Sequence, residues 1–442
     1  MSAVESNDIW LDEMPSDWRR SRIRNVTQLS PGYSATKPAQ DEPCTVVPME
    51  LLSDDGKIDV TNQQLLCDVT SGLTLFEAGD VLFAKITPCM ENGKGAFVRT
   101  LPTRYAFGST EFHVIRPTRK IEAGFLYYAT FNPVYRAYAA ENMVGAAGQK
   151  RVSTRFVKDT RLFLPPLPEQ QRIAAYLDAS CAAIDAALSA KRSQLETLDE
   201  LRKATVKRAV SMGLNASVKT KRTDVEWIPE MPQHWRLVRV KDVMEFFNTV
   251  RVPLSAADRG VMTEKTYDYY GASGIIDKVE DYHFDGTYIL IAEDGANLLT
   301  RSKPLAFLAT GKFWVNNHAH ILKPRWGGDD TFFVNLLESQ DFSLFVTGAA
   351  QPKLTMENLG RFKLAVPRVA EQKEIAAFIR EKEAEFRPLF SQIEQQIELL
   401  VGYRKSLIHE CVTGQRRITE ADVRRACGCP SVPASLHSAS QS

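Results

Sequence analysis

Two stretches far apart in the chain are close copies of each other: WLDEMPSDWRRSRIRNV, Trp10 to Val26, and WIPEMPQHWRLVRVKDV, Trp227 to Val243. Eight of seventeen columns are identical, among them Trp10/Trp227, Glu13/Glu230, Met14/Met231, Pro15/Pro232 and Trp18/Trp235, where ordinary composition gives about one match by chance. A second pair closes each half. LFLPPLPEQQRIAAYL, Leu162 to Leu177, aligns with LAVPRVAEQKEIAAFI, Leu364 to Ile379, at seven of sixteen columns, including Pro165/Pro367, Glu169/Glu371 and Gln170/Gln372. The first pair is offset by 217 residues and the second by 202. Such a repeat restricts the chain to two copies of one module, and 442 residues leave room for two domains with substantial cores. The copies begin and end alike, while their middles differ in length and show no convincing identity. Either one scaffold carries two specificities, or an old duplication has drifted.

Each module runs into a long helix. From Glu169 to about Met212 the apolar residues Ile173, Leu177, Cys181, Ile184, Leu188, Leu195 and Leu198 keep the three-and-four spacing of a helical seam. Pro165, Pro166 and Pro168 punctuate its start and Gly213 closes it. About 44 residues make a rod of roughly 65 Å. In the second copy, Glu371 to about Cys411, the residues Ile379, Phe386, Ile393, Leu400 and Leu407 fall seven apart, with Phe390 and Ile397 beside them. A heptad sustained this far asks for a partner helix, and Pro388 is expected to kink or break it. The simplest partner for each long helix is the other, packed antiparallel, which would hold the two modules at a fixed distance.

Composition removes several function classes. The chain is 44% hydrophobic and 25% charged, with no uninterrupted apolar run near the ~18–20 residues of a membrane helix and no secretory pattern in the polar, acidic start from Met1 to Trp10. The seven cysteines lack zinc spacing, so reduced thiols and a cytoplasmic protein are expected. A net charge of +1 neither suggests nor forbids nucleic acid, because phosphate binding needs local positive charge. The middles read as mixed α+β domains. Strands are expected at Asp80–Ile86 and Glu111–Ile115 in the first and at Tyr288–Ile291 and Pro304–Leu308 in the second, between turn signals such as Asp285-Gly286 and Asp294-Gly295. After Gly414, disorder is expected.

Catalytic motifs are scarce. Gly311-Lys312 is followed by Phe313 and Gly93-Lys94 by Gly95, so neither is a phosphate loop. Asn132-Pro133-Val134-Tyr135 resembles the signature of adenine amino-methyltransferases but lacks its second proline and a preceding glycine-rich loop. It falls in a stretch, Gly124 to Asn142, that reads as helical, where a local structural role is expected. His318-Ala319-His320 after Asn316-Asn317 leaves three readings open. Two imidazoles on one strand face could meet a metal ion, the Asn/Asn/His cluster could read base edges, or the residues could simply pack.

Taken in order, the pattern is Trp-x-x-x-Met-Pro-x-x-Trp, a variable domain, a proline followed by Glu-Gln-x-x-Ile-Ala, a long helix, and then all of it again. This closely resembles the specificity subunit of type I restriction-modification enzymes, over roughly residues 8 to 414. Ile86-Thr87-Pro88-Cys89-Met90-Glu91-Asn92-Gly93-Lys94, Gly311 to His320, and Tyr403-Arg404-Lys405-Ser406-Leu407-Ile408 with Val412-Thr413-Gly414 add to the likeness.

The resemblance implies two α+β target-recognition domains, residues 1–165 and 217–366, in pseudo-two-fold arrangement. Two antiparallel coiled-coil helices, 166–216 and 367–414, would join them, ahead of a disordered tail, 415–442. It implies a non-catalytic subunit whose domains each read one half of a split double-stranded DNA target. Two methylation subunits and the motor-nuclease restriction subunits would then methylate adenine or restrict, in a prokaryotic cytoplasm and away from any membrane. S-adenosylmethionine, ATP and Mg2+ belong to those partners; this chain itself is expected to hold no cofactor and no metal. Lys85, Lys94, Lys150, Arg151 and Lys353 are candidates for phosphate contact, and Ser109, Thr110, Asn316, Asn317 and His318 for base readout. Gln149 and Gln351 open corresponding stretches before each helix. The rival readings are an adenine methyltransferase in its own right and a non-DNA interaction protein built on a helical strut.

Overall fold

The segments just after the repeated tryptophans are extended, and each pairs antiparallel with the strand that leads into a long helix. Arg19–Arg22 lies against Arg161–Leu164 and Arg236–Arg239 against Lys363–Val366, with Arg19 facing Leu164 and Arg236 facing Val366. The beginning and end of each module are therefore one ladder, which is why the sequence repeats at both places. The computed structural model describes residues 15–34, 38–69, 72–146, 148–348 and 351–428. Trp10, Glu13 and Met14 of the first repeat, and the tail beyond residue 428, lie outside the described residues. The chain divides into two units, residues 1–192 with 395–442, and residues 193–394, so each long helix contributes to both.

In the first unit the order Thr27–Leu29, Phe112–Pro117, Val81–Ala84, Gly95–Phe97 makes a four-stranded antiparallel sheet. A second sheet, with Pro43–Val47 parallel to Ala106–Gly108, completes the domain. Helices Ala123–Phe131 and Pro133–Glu141 cover the first sheet. The core joins Val81, Phe83, Ile115, Phe125 and Leu126 to Ile173, Leu177, Cys181, Ile184 and Leu188 of the first long helix and Leu407, Ile408 and Cys411 of the second. The two helical segments run antiparallel here: Arg404 faces Asp185 at 3.4 Å, and Arg172 reaches the Ile418 carbonyl at 3.3 Å.

The second unit repeats the antiparallel skeleton as Met244–Phe246, Ala319–Pro324, Phe284–Ala292 and Ala306–Val315. It extends that sheet with the hairpin Tyr267–Gly271 and Gly274–Val279. Val206, Ala209 and Val210 of the first long helix share a core with Ile375, Ala376 and Ile379 of the second, and Arg202 meets Glu383 at 3.0 Å. The helical segments are antiparallel in this unit too.

The long helices span Leu167–Met212 and Val369–Thr413. Each ends at a glycine with positive φ, Gly213 at 75° and Gly414 at 82°, which caps the helix as the sequence suggests. Pro388 lies inside the second helix without breaking it, at an exposed position where the Ala384 carbonyl that loses its partner can meet water. Of the seam, Ile173, Leu177, Ile184, Leu188, Ile379, Phe386 and Leu407 are buried, whereas Leu195, Leu198, Ile393 and Leu400 are partly exposed. The first long helix, though its apolar run is interrupted by Asp178 and Asp185, contains a stretch apolar enough on average to cross a membrane by length and composition. Ile173, Leu177, Cys181, Ile184 and Leu188 on that helix are committed to the protein core.

The expected structureless tail is corrected over residues 415–428. Arg417 pairs with Asp17 at 2.7 Å and with Glu169 at 2.9 Å, Ile418 is buried, and Thr419 caps a short helix, Glu420–Ala426.

Candidate nucleic-acid interface

The repeated motif residues build the frame. The Trp18 indole nitrogen donates to Glu169 at 3.2 Å, and Trp235 donates to Glu371 at 3.0 Å. The glutamine that follows works equally hard in both copies. Gln170 accepts from the Glu122 amide at 2.8 Å and donates to the Pro165 carbonyl at 2.8 Å; Gln372 does the same with Asp329 at 3.2 Å and Pro367 at 3.1 Å. Glu122 and Asp329 each cap a helix that packs Phe125 edge-on to Trp18 and Phe332 edge-on to Trp235. The frame thereby fixes the orientation of each sheet on its long helix.

At one end of each sheet three segments converge. In the first domain the Lys85 amide donates to the Glu111 carbonyl, Val152 donates to Lys85, and Thr87 donates to Lys150, at 2.8–3.0 Å. In the second, Glu293 donates to His318, Leu354 to Glu293, and Gly295 to Pro352, over the same distances. The residues correspond one for one. The loop before the short helix closes on itself through Val144 and Arg151 in the first domain and Thr347 and Lys353 in the second. Gly145 and Gly348, both with positive φ, begin these loops. A Cβ on either would come within 2.7 Å of a glutamine carbonyl, Gln149 or Gln351, so only glycine fits. Ser153 and Thr355 end the loops as caps of Thr154–Asp159 and Met356–Arg361.

One side chain is common to both ends. His113 and His320 sit second on equivalent strands, almost wholly buried. His113 Nε2 donates to the Val152 carbonyl at 2.9 Å and His320 Nε2 to the Leu354 carbonyl at 2.7 Å. Asn248 donates to His320 Nδ1 at 2.8 Å, which fixes a neutral imidazole with its proton on Nε2. Burial holds both imidazoles below the ordinary histidine range.

Of the predicted contact residues, Gln149, Lys150, Arg151, Gln351 and Lys353 lie on these loops and Lys85 and His318 on the segments that converge there, with unequal freedom. Gln149, Lys150, Gln351, Thr110, Asn317 and His318 are exposed. Lys85 and Lys150 have no ion-pair partner among the described residues. Arg151 is held by both oxygens of Glu111 at 2.9–3.1 Å, a pairing that also holds Glu111 below the ordinary carboxylate range. Lys353 pairs with Glu293 at 3.2 Å. Burial pushes Glu293 upward, but Arg251 and Lys353 leave the carboxyl low. Lys94 points its ammonium at the Met49 carbonyl at 3.0 Å, and Ser109 accepts from the Glu111 amide. Asn316 is buried and accepts from the His318 amide at 2.8 Å. His318 pairs with Asp294 in the turn before the strand that carries His320, so the two imidazoles do not share one environment. Sequence reading missed His113, Asn248, Arg251 and Glu293. The signal for the loops was present as Gly145-Ala146-Ala147 against Gly348-Ala349-Ala350.

Asn132 caps Pro133–Glu141 by accepting from the Val134 amide at 3.0 Å, and Tyr135 is buried against Phe156. The methyltransferase-like motif is thus a helix start.

The model for the type I restriction modification DNA specificity domain matches residues 15–197 and 232–399. The specificity subunit of the Escherichia coli type I restriction enzyme EcoAI is 34% identical over 164 residues, 36% of this chain and 27% of that protein. A putative type I specificity subunit of Haemophilus influenzae is 31% identical over 157 residues, 36% of this chain and 37% of that one. The chain thus aligns with well under half the length of these relatives. A chain solved in work on assembly and conformational transition of the type I restriction-modification system has 18% identity and a TM-score of 0.70 over 91% of this chain and 100% of its own, a likeness of fold. The two matched regions coincide with the two framed modules and take in more than half of the chain, which therefore belongs to the type I restriction modification DNA specificity domain family.

Proposed function

We propose that this chain is the DNA-reading, non-catalytic subunit of a type I restriction-modification complex. Each domain reads one half of a split target through the anchored loops, Val144–Val152 in the first and Thr347–Leu354 in the second. One observation carries the reading: two domains whose middles share little sequence stand on the same frame and hold the same loop, with Gly-Ala-Ala, a glutamine and a basic residue in both, on the same backbone bonds. Equal scaffolds with unequal middles are what two independent half-site specificities require. The paired long helices set the unread spacer between the halves. Methylation subunits bring S-adenosylmethionine and restriction subunits bring ATP and Mg2+, all in a prokaryotic cytoplasm. The contacts divide by chemistry, Lys85 and Lys150 to phosphates and Thr110, Gln149, Asn317, His318 and Gln351 to base edges.

The test is to map adenine methylation across a host genome carrying this chain with its methylation subunit, beside a matched strain lacking only this chain. A split motif with fixed spacer, present only with the chain, is expected, and exchange of residues 225–366 should change one half alone. Unaltered methylation with active partners would overturn the proposal.

A further inference from the structure

We infer that His113 and His320 are positioning residues, each a latch that sets the reading loop of its own domain independently of the other. The inference rests on the DNA-reading role above and deepens it. Three observations carry it. The two histidines occupy equivalent places, pairing across the sheet with Phe83 and Ile291. Each spends its Nε2 proton on the one carbonyl that lies between the loop and the capped short helix, Val152 or Leu354. The amide of that same residue is bonded to the end of the neighbouring strand, Val152 to Lys85 and Leu354 to Glu293, both at 2.8 Å. The peptide units on either side of one residue are therefore clamped, and the next residue, Ser153 or Thr355, is fixed as a helix cap.

The surroundings of the two latches differ. His320 is braced by Asn248, and around it Glu293 gathers Arg251 and Lys353. His113 lies beside Phe83, with the Glu111–Arg151 pair at the loop. Within two middles that share little sequence, the histidine and its carbonyl stay while the charged groups around them change. A purely packing role would be served by any residue of the right volume. A buried imidazole has a cost unless its nitrogens are satisfied, and here the Nε2 bond falls on the loop in both domains. Neither histidine is placed to touch DNA. They act through Gln149 and Lys150, or Gln351 and Lys353, by holding the backbone that presents them.

The full chain, assembled with its methylation partner, provides the test. His320→Ala should lower methylation efficiency about tenfold, the worth of one buried hydrogen bond, and relax the motif at one half only; His113→Ala should do so at the other half. His320→Gln, which can return an N–H to the Leu354 carbonyl, should restore the half-site. Independently of DNA, hydrogen exchange on the full chain should rise at residues 347–354 in His320→Ala while residues 144–152 keep their protection, and the reverse in His113→Ala. Equal relaxation of both halves, wild-type motifs in both alanine variants, or unchanged loop protection would overturn the latch. A wild-type complex that methylates no split motif overturns the DNA-reading role instead, and the exchange measurement still decides the latch.

Discussion

Trp18 and Glu169, 151 residues apart in the chain, meet through an indole-to-carboxylate hydrogen bond of 3.2 Å. Trp235 and Glu371 repeat the contact, but the two acids are not equally enclosed: the Glu169 side chain is 5% exposed and that of Glu371 26%. Glu169 also receives Arg417, whereas Glu371 receives the largely exposed His234. Removing Glu169 strands a buried indole N–H and takes from Arg417 one of its two carboxylates, Asp17 remaining. Glu169→Ala should therefore destabilise the first unit by about 2–3 kcal/mol and Glu371→Ala the second by about 1–2 kcal/mol. Urea denaturation followed by hydrogen exchange in each unit measures both; a larger loss for Glu371→Ala would contradict the ranking.

Residues 415–428 close the first unit from the far end of the chain. Arg417 bridges Asp17 and Glu169, Ile418 is buried, and the Ile418 carbonyl accepts from Arg172. Truncation after Gly414 exposes the partners of Ile418, a side chain whose full burial is worth about 1.5–3 kcal/mol. Truncation should lower the unfolding midpoint of the first unit and leave the second unchanged. Proteolysis of the truncated chain checks this, and equal cleavage of both units would count against it.

Much of this architecture is legible in the sequence because local chemistry writes it. The long helices show in the spacing of Ile173, Leu177, Ile184 and Leu188 and in the heptad from Ile379 to Leu407. Gly213 and Gly414 end them where αL glycines belong, and the strands at Val81–Ala84 and Phe112–Pro117 stand out by their apolar runs. The site is less legible, because its bonds run between segments distant in sequence. Nothing local ties Glu111 to Arg151 or Glu293 to Arg251. The shared histidines disappear among mismatched neighbours until strand pairing aligns Phe83–His113 with Ile291–His320. The helix Glu420–Ala426 is partly legible in its Thr419–Asp422 capping box, but what docks the segment, Arg417 on Asp17 and Glu169, only the fold brings near.

The buried imidazoles make stability pH-dependent with a definite sign. Burial favours neutral His113 and His320 in the fold, so their folded pKa values lie below the unfolded one of about 6.5. Between those values the unfolded chain binds more protons, and stability rises with pH. Their contribution is whole above about pH 6.5 and declines as pH falls through that value, by up to about 1.4 kcal/mol per imidazole per pH unit. Around His320, Glu293 favours the proton while Arg251 and Lys353 oppose it. Glu111 and Glu293, held low, lose their contribution only below about pH 4.5, which leaves pH 5–6.5 to the histidines. Urea midpoints at pH 7.5 and 5.5 should fall for the wild type and fall less for the His113→Gln, His320→Gln double variant; equal slopes would remove the imidazoles as the cause.

Lys150 and Arg151 are neighbours with opposite fates, and salt dependence of binding separates them. Arg151 is neutralised in place by both oxygens of Glu111, while Lys150 is exposed at the loop with no partner among the described residues. A phosphate contact releases condensed counterions and steepens the fall of affinity with salt by about 0.9 per charge in log–log slope. In the assembled methylation complex, Lys150→Ala should flatten the slope by about that amount and weaken all sequences alike. The paired change Glu111→Gln with Arg151→Gln leaves net charge unaltered and so should leave the slope unaltered. It removes the brace on the loop, so the loss should fall on the cognate half-site and spare non-specific binding. A flattened slope in the paired variant, with none in Lys150→Ala, would place Arg151 on the phosphate and reverse the two roles.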